Sequence, residues 1–382
     1  MQNRKLAILG MGFISAAGNT FEGLKETFSA RSAPYAKDED GIFFPIPQVL
    51  HHTVEGSIQS IHNGQRLDRT VKLAATAMLD CLQNLNIPST EKVLVNIGSS
   101  RGASHTWENE FGSFLALGKS SPKASPYSTP GNISSNIATL LSKQSIVVDH
   151  SVTCGSGLQA IANAAAWIRS GMAGMAIVGG AEAPLTPFTR SQMKALKITA
   201  SVDSDFPAKP LSAENPKTGM ALGEGAAIFA LGDANQEASF YITGIGMANE
   251  RGDSPSGITG EGKALYESMK LALANAGIEK PDLIITHAPG TEKGDSAELN
   301  AIQHLFGERC PRLFSNKHVM GHTLGASGTL SIVTACYLLM KNEVPNLPYS
   351  AIGQNQTPEN IKSVMINATG FGGNAISIVV SL

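Results

Sequence analysis

Two fifteen-residue stretches constrain the fold of this chain more than any other feature: CGSGLQAIANAAAWI, which begins at Cys154, and GASGTLSIVTACYLL, which begins at Gly325. Each puts small residues at a turn and continues as a helix that is apolar on nearly every side. Such a helix has no face to offer water and must be buried all round. A second echo runs in the same order. KLAILGMGFIS near the start and FYITGIGMANE in the second half are both apolar strands carrying a Gly-x-Gly, at Gly10 and Gly12 and at Gly244 and Gly246. Two echoes in one order indicate an internal duplication, with halves 1–235 and 236–382 meeting at the polar stretch GDANQEAS. Gly10 and Gly12 do not make a dinucleotide fingerprint, because position 15, where a third glycine belongs, is a serine.

Within each half, runs such as SIVVDHSV, MAIVGGAEA, AAIFALGD, DLIITHAPG and SVMINATGFGG read as buried strands, with the helical patterns DRTVKLAATAMLDCLQNL and EGKALYESMKLALANAGI between them. That alternation points to an α/β protein with parallel strands covered by helices on both faces. Residues 190–222 read as a long polar surface excursion.

The net charge of -2 gives no bulk electrostatic reason to expect a nucleic acid or membrane partner. The apolar stretch before Gly10 is too short for the core of a signal peptide, and no run of 18 apolar residues occurs, so a cytoplasmic protein is expected. The four cysteines, Cys81, Cys154, Cys310 and Cys336, form no CxxC pair; free thiols are expected, with no metal framework. Cys81 and Cys336 fall inside apolar helices and read as core, while Cys310 has no evident role.

Cys154 closes a strand-rich run and opens a buried helix. Backbone N–H groups and the helix dipole should converge on its sulfur, lowering the thiol pKa and favouring a nucleophilic thiolate. A small residue tolerated at a tight turn is the plain alternative. His322 alone in a glycine-flanked turn, Lys317 alone and Phe371 alone would read as a packed histidine, a solvated lysine and core.

The segment SVTCGSGLQAIANAAAWIRSGMAGMAIVGGAEAPLTP resembles the nucleophile segment of the β-ketoacyl-[acyl carrier protein] synthases, which are thiolase-like condensing enzymes. LAILGMGFISAAGNTFEGLKETF, MALGEGAAIFAL, NKHVMGHTLGASG and NATGFGGNA are similar to further motifs of that family and stand in its order, so the resemblance covers nearly the whole chain. It implies a thiolase-like fold, two duplicated βαβ halves in a layered αβαβα core. It also implies that Cys154 accepts the acyl group, and that His322 steadies the enolate formed when a malonyl thioester loses CO2. Lys317 would support the histidines. Phe371 would gate the acyl tunnel, its backbone N–H joining that of Cys154 in an oxyanion hole, with Thr291 and Gly372 beside the substrate.

Two departures stand out. The family's other histidine belongs to a His-Gly-Thr turn, whereas THAPGTEKGD puts Pro289 in that register while Gly290, Thr291 and Asp295 keep theirs. His287, two positions upstream and therefore on the same face of a strand, is expected to aim into the site instead. Ser331 stands where the family has a glutamate partnering the lysine, so the charge balance around Lys317 must differ.

The implied reaction is acyl transfer to Cys154 followed by decarboxylative condensation with malonyl carrier protein in fatty acid, polyene or polyketide synthesis. The alternatives are an acyltransferase that no longer decarboxylates and a chain-length-setting partner of a second synthase. The implied partners are an acyl carrier protein, which brings its own phosphopantetheine so that no other cofactor is required, and a second identical or related synthase in a dimer. Because carrier proteins are acidic, Arg66, Arg69 and Lys72, or Arg190, Lys194 and Lys197, are candidate docking cations.

Overall fold

The computed structural model describes residues 5–382 apart from 62–65, 84, 89–90, 142–143, 202, 214–218, 252–258 and 354–357. Ten strands make up the main sheet. Those of the first half are β1 (Leu6–Ser15), β2 (Val93–Gly98), β3 (Ser145–His150), β4 (Met175–Glu182) and β5 (Gly225–Asp233). Those of the second half are β6 (Tyr241–Asn249), β7 (Leu283–Ile285), β8 (Arg312–Phe314), β9 (Ser363–Gly370) and β10 (Asn374–Ser381). Seven helices matter below: α1 (Arg69–Leu82), α2 (Ser104–Leu117), α3 (Ser156–Arg169), α4 (Pro187–Ala195), α5 (Lys263–Ala276), α6 (Glu292–Phe306) and α7 (Ser327–Lys341).

The strand order is β1-β5-β4-β2-β3 in the first half and β6-β10-β9-β7-β8 in the second, the same order twice. In each half the first, fifth and fourth strands pair antiparallel, and the fourth, second and third pair parallel. The halves join edge to edge where Leu6 pairs with Ile242 and Ala7 with Tyr241, and the Ile8 N–H donates to the Phe240 carbonyl at 3.0 Å.

The Gly-x-Gly echoes have a packing cause. A Cβ at Gly12 would collide with the backbone of Ala77 and Cys81 in α1, and one at Gly246 with the backbone of Ser268 and Ala272 in α5. In each half the missing side chains let the outer helix lie directly on the first strand. Helix α1 accordingly covers β1 and β5, and α5 covers β6 and β10. The two all-apolar helices fill the middle. Helix α3 touches β2 and β4 on one side and β10 on the other, while α7 touches β9 and β5. The result is five layers, helix–sheet–helix–sheet–helix, with one large core running through the central one.

The stretch Leu324–Lys341 has the length and mean hydropathy, 1.3, to cross a membrane, yet 89% of it is buried inside the protein. The expectation of a surface excursion at 190–222 is corrected. Its first residues belong to α4, and Met193, Phe206, Ala208 and Leu211 are buried. Apolar side chains spaced irregularly among prolines leave no period to read, so only tertiary contacts reveal them. Residues 202 and 214–218 of that stretch lie outside the described residues.

Candidate active site

Cys154 sits in a single 3-10 turn, Thr153–Gly155, that leads into α3. Thr153 has φ of 54°, an unfavourable value for a β-branched residue, costing on the order of 1–3 kcal/mol. Ser156 holds the strained turn, its hydroxyl donating to the Thr153 carbonyl at 2.6 Å and accepting from the Val152 N–H at 3.0 Å. The second half repeats the device. Leu324 has φ of 41°, the turn Leu324–Ala326 follows, and α7 begins at Ser327. Gly325 is thus the counterpart of Cys154, as the sequence echo aligned them.

Cys154 is half-buried as a residue, and it lines a cavity of about 430 Å³. Burial pushes its pKa up to about 12 and the Glu182 carboxylate adds to the shift, while Lys317, Arg101 and a backbone N–H pull the other way. This corrects the expectation of a lowered pKa: desolvation outweighs the favourable groups, and the resting form is the thiol.

His287 and His322 both line this cavity, their rings 5.1 Å apart and nearly perpendicular. The chain therefore does aim His287 into the site, while Pro289 lines the wall beside it. His322 is fixed by its backbone: its N–H donates to the Ala221 carbonyl at 2.7 Å, and its carbonyl accepts from the Gly223 N–H at 3.1 Å. His287 is fixed from α6, where the Glu298 carboxylate accepts from the His287 N–H at 3.0 Å and the Ala288 N–H at 2.6 Å. Burial first, then the charge of Lys317, holds both imidazoles well below their usual pKa, so both are neutral at pH 7. Their Nδ1 atoms meet no partner among the described residues.

Lys317 is buried, and its ammonium donates to the Thr286 carbonyl at 3.4 Å, one residue before His287. Burial lowers its pKa to about 8 against the opposing pull of Glu298, Cys154 and Asp295. Ser331 occupies a neutral niche instead, donating to Asn316 Oδ1 at 3.4 Å. Glu298, on α6, is the carboxylate whose charge acts most on Lys317. The sequence reading missed it; its signal was an acidic residue inside the apolar face of a helix.

Glu182, the Glu of a Gly-Gly-x-Glu strand end in the resembling segment, was given no role by the sequence reading. Fully buried at the end of β4, it accepts from Ser99 Oγ at 2.9 Å and from the N–H groups of Ser100, Arg101 and Gly325 at 2.7, 3.0 and 3.0 Å. Burial pushes its pKa up to about 7. It ties the loop after β2 to the α7 turn, and so fixes the cavity wall opposite the histidines.

Phe371 lines the mouth and is 39% exposed. Thr291 lines it as well and caps α6, its hydroxyl accepting from the Gly294 N–H. Gly372, with φ of 85°, is exposed and does not line the cavity; its freedom serves the turn between β9 and β10. Of the candidate docking cations, Arg69 is held by Glu224, Lys72 by Glu55 and Arg190 by Asp38, so these three are committed within the chain. Lys197 instead lines a groove with Lys293 that shares Ile198, Thr291 and Lys293 with the cavity mouth.

The comparisons agree with this architecture. The chain is 27% identical to 3-oxoacyl-[acyl-carrier-protein] synthase 2 of Vibrio cholerae, covering 99% of each. It is 25% identical to the actinorhodin polyketide putative beta-ketoacyl synthase 1 of Streptomyces coelicolor, covering 97% of this chain and 87% of that one. The ishigamide ketosynthase/chain length factor superposes with a TM-score of 0.85 at 20% identity over 99% of both chains. A beta-ketoacyl synthase from Burkholderia phymatum gives 0.83 at 22%, again over 99% of both. These likenesses establish the thiolase-like fold. Residues 46–236 match the N-terminal domain of the beta-ketoacyl synthases and 240–349 match their C-terminal domain. The chain belongs to the β-ketoacyl synthase family.

Proposed function

We propose that this chain is a working β-ketoacyl-[acyl carrier protein] synthase in which Cys154 carries the acyl group and His287 and His322 together serve the decarboxylation. The observation that carries this reading is the meeting of all three side chains in one cavity. In the first half-reaction the Cys154 sulfur attacks an acyl thioester on carrier-protein phosphopantetheine. The carrier C–S bond breaks, an acyl–Sγ bond forms, and the thiol proton leaves on the departing phosphopantetheine sulfur. In the second, malonyl carrier protein loses CO2, and the electron pair of the broken bond becomes an enolate. N–H groups of the neutral histidines stabilise its oxygen. Its carbon then attacks the acyl–Sγ carbonyl, whose oxyanion meets the N–H groups of Cys154 and Phe371. Collapse releases the Cys154 thiolate and a chain two carbons longer.

Neutral imidazoles suit donors that must not already be paired with a carboxylate, and Lys317 helps to keep them neutral. The substrate supplies the phosphopantetheine, and no metal or redox step is required. A soluble, cytoplasmic enzyme fits this chemistry, as do two units, 1–235 with the nucleophile and 236–382 with the histidines and lysine. An acidic carrier protein would approach over Lys197 and Lys293 at the mouth. A chain-length-setting partner would have no use for a cavity-lining cysteine opposite two histidines, and a non-decarboxylating transferase would have no use for the second histidine.

The test separates the half-reactions. Cys154→Ala is expected to abolish acyl transfer onto the protein, read by intact mass. His322→Ala and His287→Ala are expected to slow CO2 release from malonyl carrier protein by about 10²–10³-fold while Cys154 still acylates. Unchanged CO2 release in both histidine variants would sink the assignment.

A further inference from the structure

A second cavity, of about 540 Å³, lies behind the Cys154 cavity, and the two share only Ser100 and Arg101. Helix α4 and its C-cap border both: Phe188 and Thr189 line the second cavity, Met193 and the C-cap residue Leu196 the first. Between them, Gln192 of α4 accepts a hydrogen bond from the Arg101 guanidinium. Arg101 and α4 therefore make the partition. None of the ion pairs among the described residues includes Arg101. It is a half-buried cation that lines the same cavity as the apolar Met193, Leu196, Ile198, Met220 and Leu324.

The second cavity mixes polar and apolar lining, with Ser104, Glu108, Asp149 and His150 standing beside Trp107 and Phe188. Glu108 is occupied, accepting from the Thr186 hydroxyl at 2.5 Å and the Phe188 N–H at 3.2 Å. Asp149, near Ser134, has its carboxyl pushed up by burial to about 6. Arg101, on the partition, is a cation whose guanidinium is hydrogen-bonded to the neutral Gln192 side chain. A saturated tail pushed through it would strip Gln192 from the guanidinium and leave that charge against hydrocarbon, a costly exchange. A tail bearing an acceptor oxygen would replace the Gln192 oxygen instead.

Resting on the acyl-enzyme reading above, we propose that Arg101 determines specificity: its guanidinium leaves Gln192 to bind an acceptor oxygen on the distal part of the acyl group. Oxygenated acyl chains are then taken in preference to saturated chains of equal length.

The experiment offers the full-length protein the acetyl, hexanoyl and 5-oxohexanoyl thioesters of pantetheine and follows Cys154 acylation by intact mass. Wild type is expected to favour 5-oxohexanoyl over hexanoyl by about tenfold. Arg101→Met is expected to bring that ratio to one or below, and Arg101→Lys, which keeps the charge, to retain a preference. A wild-type ratio of one or less overturns the proposal whatever the variants do, and so does a full preference surviving in Arg101→Met. Acetylation without discrimination between the longer chains removes Arg101's role and leaves the enzyme reading standing. Failure of all three thioesters to acylate Cys154 overturns the enzyme reading and this proposal with it.

Discussion

Cys154 illustrates how burial and local charge compete at one atom. The sulfur stands at a helix start with Lys317 and Arg101 acting in its favour, yet desolvation and Glu182 leave it a thiol with a pKa raised to about 12. The sign has a direct consequence. The reactive thiolate fraction grows about tenfold per pH unit as long as the pH stays below the pKa. Alkylation of Cys154 by iodoacetamide is therefore expected to keep climbing from pH 7 to 9.5, measured residue by residue by mass spectrometry. A plateau below pH 8 would mean that the lowering groups win. At this scale the sequence marked Cys154 and His322 through glycine-flanked motifs that fix their registers, whereas His287 was expected in the site although Pro289 holds the motif's register. The carboxylates were hidden: Glu182 and Glu298 act through neighbours 83 and 11 residues away in the chain.

At the scale of elements, the strained turn before α3 depends on room made by another strand. Gly370, the last residue of β9, lies so close that a Cβ there would overlap the Thr153 hydroxyl and crowd the Val152 carbonyl. Gly370→Ala should push the turn, and the Cys154 sulfur with it, out of line. The expected outcome is a loss of about 1–3 kcal/mol of stability, seen in a thermal melt, together with slower acylation of Cys154. A variant that melts and acylates like wild type would show that the turn is held by Ser156 alone. Turn, buried helix and Gly-x-Gly strand were all legible in the sequence, since each is a local rule stated twice. Helix α4 and the buried residues after it were not, because they follow no period.

At the scale of the molecule, β3 is left at the rim of the sheet with one side unpaired, and Val147 on it is 39% exposed. Helix α2, in the same half, exposes Trp107, Phe111, Phe114, Leu115 and Leu117. An open, apolar edge of this kind invites a second chain, identical or related, in line with the dimer inferred above. Val147→Lys is expected to weaken that association and shift the sedimenting species toward monomer; an unchanged mass distribution would place the contact elsewhere.

By itself the sequence determined the class of fold and the duplication, and it singled out Cys154 as the candidate nucleophile. Hydrophobic period, paired glycines and short motifs act over a few residues and survive being read in one dimension. Only the tertiary structure decided that His287 reaches His322 and that Glu298 comes near enough for its charge to act on Lys317. Each of those outcomes joins separate segments of the chain, and burial sets the charge of the groups it brings together; neither is written in any local pattern.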